Sequence, residues 1–168
     1  MKITKLFLLL ASISALVISS DGAAVAASPA TANLGVSVNV KNNCTITTIA
    51  VGFPDYDPIV ANASTPDDST SGSVTITCTK GGGSSIALGY GLQPSPATQP
   101  RMTNGTDFLN YSLYSDNAGG TLWSGVTRTI PGAANQSAQL FPVYGRIPAA
   151  QLVSSGTYND TVVATVNF

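Results

Sequence analysis

The sequence predicts an all-β fold, and three observations lead to this class. Val, Ile, Thr and Tyr recur in short alternating runs, which is the pattern of half-buried strands. Gly, Pro, Asn, Asp and Ser interrupt the runs at short intervals, as turn residues do. No stretch of ten or more residues keeps a helical period with caps at both ends. Many short strands at this spacing favour a β-sandwich or a β-barrel.

The alternating runs predict eight strands in one domain, since no internal repeat and no linker divides the chain. Two proline-containing segments, residues 52–72 and 90–106, are predicted to be long loops. The glycine-rich residues 80–85 predict a hairpin connection. The predicted strands are residues 34–40, 44–51, 73–79, 85–88, 109–114, 125–130, 139–147 and 158–168.

The N-terminal segment has the pattern of a secretory signal peptide, predicted as residues 1–26. Lys2 and Lys5 form a short positive region, and residues 6–18 are apolar. Residues 24–26, Ala-Val-Ala, form a small-x-small cleavage site, and residues 25–27 are an alternative. About 13 apolar residues are too few to span a bilayer, which needs roughly 20. We therefore expect an exported chain with a mature domain over residues 27–168.

Charged residues are sparse, only 9% of the chain. All eight acidic residues are Asp, and His is absent. Nucleic-acid binding needs clustered Lys and Arg, which this chain lacks, so we expect no nucleic-acid partner. Without His or Glu, an acid–base pair would consist of Asp alone, and we expect neither an enzyme nor a catalytic residue.

The chain has two cysteines, Cys44 and Cys78, and both lie in the predicted exported part. Two cysteines in an oxidising compartment most simply form one disulfide. The alternative is a metal site, which would have neither His nor a CxxC motif to complete it. We therefore expect no metal and no cofactor.

The two ends of the mature chain carry complementary patterns. Small polar residues alternate with apolar ones over residues 30–40, so this segment is an amphipathic strand. Residues 158–168 are predicted to form a strand that ends with the sequence. This pattern predicts a domain that lacks a last strand and carries a spare first one. The alternation is equally compatible with the alternative that residues 30–40 form the first strand of the domain's own sheet.

Several motifs resemble the spore coat protein U domain, a family shared with archaic (Csu-type) chaperone–usher pilins. In order and spacing the motifs cover nearly the whole mature chain. One departure is Pro54, where the family more often has Gly. The motifs are FPDYDP at 53–58, GSVTITCTKG at 72–81, RM at 101–102, LNYSLYSD at 109–116, Trp123, YGRIPA at 144–149 and GTYNDTV at 156–162.

The resemblance implies an incomplete immunoglobulin-like β-sandwich in which Cys44 is bonded to Cys78. In such pilins a neighbouring subunit inserts its N-terminal strand into an open groove, a form of β-strand addition. Residues 28–38 would be the donor strand, and the C-terminal strand would border the groove and dock a chaperone. The implied donor residues are Ala30, Ala32, Leu34, Val36 and Val38, and the implied groove residues are Val162, Ala164, Val166 and Phe168.

Four other features have local interpretations. The Asp pairs at 55 and 57 and at 67 and 68 are expected to make turns in the first long loop. A calcium site there is the alternative, although an Asp-x-Asp alone is a weak form of that pattern. Trp123 is expected in the core, and Arg146 is expected to make structural hydrogen bonds.

The expected function is a structural subunit of a surface pilus that polymerises by donor-strand exchange and supports adhesion and biofilm formation. Its expected partners are a periplasmic chaperone, an outer-membrane usher and other pilin subunits, and its expected location is the cell surface. Two alternatives remain. One is a coat protein of spores or cysts, and the other is a secreted monomeric binding module that uses the two proline-containing loops.

Overall fold

The computed structural model describes residues 29–81, 84–95, 98–130 and 136–168, in two units that meet at residue 38. The predicted signal peptide, residues 1–26, lies outside the described residues, as does Ser28. In the first unit, residues 29–38 have no regular secondary structure and every residue is exposed. No helix in the described part of the chain is long and apolar enough to cross a membrane.

The second unit, residues 39–168, is all-β in its described part. All of its regular elements are strands. They are β1 (Cys44–Ile49), β2 (Asp67–Cys78), β3 (Ser84–Leu88), β4 (Arg101–Thr103), β5 (Phe108–Asn110), β6 (Ser112–Tyr114), β7 (Thr127–Ile130), β8 (Gln139–Ile147) and β9 (Ala164–Asn167).

The strands form two main sheets and a small third one. One main sheet has the order β1-β2-β8-β6, the other has the order β7-β3-β9, and β4 pairs with β5. Every paired strand is antiparallel to its neighbour. Both main sheets end on the same side in a strand with one sheet neighbour, β1 in the first and β9 in the second. The predicted all-β class and incomplete sandwich are confirmed.

One hydrophobic core lies between the two main sheets. Trp123 is fully buried at its centre, as predicted, and the guanidinium of Arg128 lies 4.9 Å from the Trp123 ring centroid. Apolar side chains bury themselves here because their transfer out of water is worth about 25 cal/mol per Å². The other buried apolar residues are Val74, Ile76, Cys78, Ile86, Leu88, Leu109, Tyr111, Leu113, Ile130, Val143 and Ile147.

The predicted disulfide between Cys44 and Cys78 is confirmed. The two residues are register partners on adjacent antiparallel strands, and their Cα atoms are 4.1 Å apart. The bond joins edge strand β1 to the longer strand β2, with a sequence separation of 34 residues. Because β1 has one sheet neighbour, this covalent link holds the edge of the sheet in place.

Several predicted strand boundaries were wrong, although most strands lie where the alternation placed them. No strand forms over residues 34–40, and the last predicted strand shortens to β9. The predicted strand over 109–114 divides at Tyr111, because β5 pairs with β4 whereas β6 pairs with β8. β4 lies in a segment predicted as loop and forms because Arg101 and Asn110 begin a short antiparallel ladder.

Two loop predictions were also wrong. Asp67 and Asp68 belong to β2, which begins at Asp67 because β8 continues far enough to pair with it. The predicted hairpin between β2 and β3 was wrong, since these two strands lie in different sheets. Strand alternation alone does not say which sheet the next strand joins.

The predicted structural role of Arg146 is confirmed by its pairing with Asp68. These residues are register partners on β8 and β2. Arg146 Nε and Nη2 donate to Asp68 Oδ1 and Oδ2 at 2.7 and 2.8 Å, a bidentate arrangement. These hydrogen bonds hold the pKa of the Asp68 carboxyl below its ordinary value of 3.8.

We expect Arg146→Gln to destabilise the fold modestly and in a pH-dependent way. A carboxyl with a depressed pKa contributes stability above its ordinary pKa and loses that stability as pH falls through the folded-state value. Both partners are part-exposed, so the cost at pH 7 is at most about 1 kcal/mol. Urea denaturation at pH 7 and pH 3 should give a smaller difference between variant and parent at pH 3. An equal difference at both pH values would contradict this account of the pair.

Candidate functional site

A groove opens between the two edge strands β1 and β9, which contact each other across the sandwich. Its middle part is a cleft of about 400 Å³. The floor is formed by core side chains, among them Val74, Leu88 and Leu113. A second cleft of about 740 Å³ shares Val51 and Phe53 with the first and lies beyond it. The two clefts adjoin at these residues, and the floor of the first is mainly apolar.

The first wall of the groove is the chain that follows β1. Val51 and Phe53 lie half-buried along it, over β2 and β8. Two glycines on β2 and β8 leave the space that the Val51 and Phe53 side chains occupy. A Cβ atom at Gly72 would lie 2.3 Å from the Val51 side chain, and a Cβ atom at Gly145 would lie 2.4 Å from the Phe53 ring. Any larger residue at these positions would displace the wall.

The second wall is the chain that leads into β9, and Asp160 fixes its start. Asp160 Oδ1 accepts hydrogen bonds from the backbone N–H groups of Leu92 and Thr161 at 2.9 and 2.8 Å. Asp160 Oδ2 accepts from the Tyr111 hydroxyl at 2.6 Å. Burial, and then this hydrogen bond, raise the pKa of Tyr111 far above its ordinary value. The phenol therefore stays protonated and remains a donor.

Among the described strands, β9 pairs with β3 alone, so its other backbone edge is open on the side of the groove. Gly89 donates to the Val163 carbonyl at 2.9 Å, and the register then pairs Ala87 with Thr165. In an antiparallel ladder the bonded residues alternate, so the N–H and C=O groups between them point to the other edge. For this strand those groups belong to Val162, Ala164 and Val166. An added strand would find both backbone partners and an apolar floor here.

The predicted groove residues occupy three different positions. Val162 and Ala164 line the cleft. Val166 is half-buried against the core without lining the cleft, and Phe168 is 54% exposed. The first wall was missed by sequence reasoning. Between Ile46 and Val51 the inward-facing positions change from even to odd numbers, so a simple period of two does not continue through it.

The predicted donor residues all lie in the exposed N-terminal unit. The three largest, Leu34, Val36 and Val38, are each exposed by 87% or more. Ala30 and Ala32 are exposed as well. Exposing apolar side chains at every second position to water is unfavourable in free energy. Exposed apolar surface of this kind commonly marks an interaction site.

The Asp residues of the first long loop make local structure. Asp57 Oδ1 accepts hydrogen bonds from the N–H groups of Ile59 and Val60, which is the turn geometry expected for Asp. Within the part of the chain that the structure describes, no three metal-binding side chains come together. The apolar groove and its open strand edge, rather than a cluster of reactive groups, are the features able to bind another molecule.

The described residues thus form an incomplete β-sandwich with an open groove and an exposed amphipathic N-terminal segment, the class of fold that the sequence predicted. Residues 30–165 match the model of the Spore Coat Protein U domain, and the chain belongs to this family. The chain is also 38% identical over 155 residues to Protein U of Myxococcus xanthus, covering 84% of this chain and 87% of that protein. Proteins of this family are structural, and the chain is not an enzyme.

The fold is similar to that in a solved structure from a chaperone–usher pilus. One match is to the CsuC–CsuE chaperone–tip adhesion subunit pre-assembly complex of the Acinetobacter baumannii Csu pilus, with 26% identity and a TM-score of 0.58. It covers 77% of this chain, and this chain spans 40% of the matched one. The HdaB minor tip subunit of an E. coli pilus matches at 15% identity and a TM-score of 0.39, over 73% of this chain and 79% of that one; this likeness carries no weight.

Proposed function

We propose that this protein is a pilus subunit that polymerises by donor-strand exchange. In this proposal, residues 28–38 of one copy fill the groove between β1 and β9 of the next. The observation that carries this proposal is that one chain has both an apolar groove with an open β9 edge and an exposed segment of alternating apolar residues. The likeness to a Csu pilus subunit complex supports the same function.

The two surfaces are chemically complementary. Added to the open edge of β9, a donor strand would bond the backbone groups of Val162, Ala164 and Val166. Its even-numbered side chains would cover the apolar floor, while its odd-numbered polar ones would face water. A sheet edge left open is an aggregation hazard, so a subunit of this kind needs cover before assembly.

The need to cover the open sheet edge before assembly supports a chaperone and an usher as the proposed partners on the way to the cell surface. A periplasmic chaperone would occupy the groove first and dock on the C-terminal strand, including Phe168. An outer-membrane usher would then exchange the chaperone for the next subunit, and the polymer would reach the cell surface. There it would support adhesion and biofilm formation. The matched Csu complex contains a chaperone together with a subunit, which supports the first of these steps.

The test compares the mature protein with a version that lacks residues 28–38. Both are run in detergent gels with and without boiling. We expect the mature protein to give a ladder that survives detergent and collapses on boiling, because the strands are held non-covalently. The truncated protein should give no ladder. A single monomer band from well-folded mature protein, purified with or without a co-expressed chaperone and usher, would overturn the proposal.

A second candidate function is a structural component of a cell coat. The family description, Spore Coat Protein U, and the 38% identity to Protein U over most of its length favour it. Both functions would use the same fold, and they differ in where the assembled protein lies. Immunogold labelling distinguishes them, since a pilus places the protein on filaments that project from the cell and a coat places it in a continuous layer.

A further inference from the structure

Two apolar side chains are presented to water at the tip of the loop that follows Phe53. Ile59 is 79% exposed and Val60 is 77% exposed. They lie beside Asp57 and Pro58, which line the second cleft, so the tip adjoins one end of the groove. Leu152, fully exposed, adjoins the same cleft through Val153. We name Ile59, Val60 and Leu152 the mouth patch.

Hydrogen bonds hold the mouth patch in a defined shape. The side chain of Asn62, which is 7% exposed, accepts from the Asp57 N–H at 2.8 Å and donates to the Thr65 carbonyl at 3.2 Å. The Asn62 carbonyl accepts from Ala150 at 2.9 Å, which ties this loop to the chain that carries Leu152. Because the buried Asn62 side chain has hydrogen-bond partners for both its oxygen and its nitrogen, it fixes the conformation of the loop. The fold therefore holds the apolar tip in a defined position.

The direction of an added strand places its C-terminal end at the mouth patch. All paired strands of the sandwich are antiparallel, and a donor that continues this order runs antiparallel to β9. The chain enters β9 from the second cleft, through Asn159 and Asp160. An antiparallel donor therefore leaves the groove at that cleft, with Val38 last.

Little chain separates Val38 from the body of the donor copy. The Thr79 hydroxyl lies 3.3 Å from both the Lys41 and the Asn43 carbonyl oxygens. It accepts from the Asn43 N–H at 3.1 Å, and the Thr79 N–H donates to the Asn43 carbonyl at 2.9 Å. Lys41 is thus anchored to its own domain. Three residue steps at 3.6 Å or less span at most roughly 11 Å. A donor domain on so short a tether must lie against the mouth of the groove that its strand fills.

We propose that the mouth patch packs against the Lys41–Thr79 pole of a second copy of this chain, the copy whose residues 28–38 fill the groove. This inference rests on the proposed function. Apolar surface lies close to this pole, since Leu140 is 62% exposed on β8 opposite Thr75, four residues before Thr79. Contact between the two patches would restrict bending between consecutive subunits.

The test uses single thiols in assembled full-length protein. Both native cysteines form the disulfide, so an added cysteine is the one free thiol available to the label. The probe variant is Val60→Cys. The matched control is Leu122→Cys, since Leu122 is 46% exposed and bridges to β6, the opposite edge of the sheet from β1. The rate of maleimide labelling is measured in multimers isolated by size, with the protein lacking residues 28–38 as the monomeric reference.

We expect the Val60→Cys thiol to react at least about tenfold more slowly in multimers than in the monomer, because a covered thiol reacts when the contact opens. The Leu122→Cys thiol should react at the same rate in both. Oxidation of multimers that carry Val60→Cys with Leu140→Cys should also give dimers that resist boiling without reductant. A boil-sensitive ladder with an unprotected Val60→Cys thiol would overturn this contact alone. The absence of any ladder would overturn the contact and the proposed function together.

Discussion

Replacing Leu34 with Asp is expected to abolish the detergent-stable ladder, and this is the largest effect of any single substitution that the structure suggests. Leu34 is the central apolar residue of the proposed donor strand. In the assembled state its side chain would face the apolar floor of the groove, where a carboxylate loses its hydration without gaining a cation. A penalty of several kcal/mol per subunit contact is enough to prevent assembly.

The matched control is Asn33→Asp, which places the same charge one residue away. Neighbouring residues of a strand face opposite sides, so this carboxylate would stay in water and the ladder should persist. Neither substitution should unfold the subunit, because residues 33 and 34 are both exposed. Gels with and without boiling, run beside circular dichroism of each variant, supply the measurement. Equal ladders from the two variants would show that residue 34 does not enter a groove.

Removing the disulfide with Cys44→Ala and Cys78→Ala is expected to lower the free energy of unfolding by about 4 kcal/mol, the chain-entropy value for a loop of this length. The sequence separation of the two residues is 34. A loss of this size lowers the melting temperature by roughly 10 °C or more in a domain of this size. The same change should weaken the ladder, because β1 leads directly into the groove wall at Val51 and Phe53.

The control for the disulfide is Thr45→Ala with Thr77→Ala, the next register pair along the same two strands. This change leaves the covalent link in place and should cost less than about 1 kcal/mol. Urea denaturation followed by Trp123 fluorescence, in the Leu34→Asp background that we expect to stay monomeric, gives both values. A denaturation midpoint that does not move when the two cysteines are removed would show that the disulfide contributes no stability to this fold.

The sequence alone was sufficient where one face of a strand meets the core. Residues 139–147 were predicted from their alternation and form β8 with the same bounds. The disulfide was also predicted, since two cysteines in an exported chain most simply form one bond. The burial of Trp123 was predicted because large apolar side chains usually lie inside a fold. The two Asp residues at 67 and 68 were misplaced because a polar pair reads as a turn unless its neighbours are known, and here β8 supplies the neighbour.

The sequence by itself determined the class of fold, most of its strands, the disulfide and the amphipathic character of residues 30–38, because these depend on local pattern and residue chemistry. Tertiary structure decided which strands end each sheet, and therefore where the groove opens. It also decided that Val51 and Phe53 form one wall, because they fit over Gly72 and Gly145 on strands distant in sequence. Such contacts depend on the relative placement of whole sheets, which a period of two does not contain.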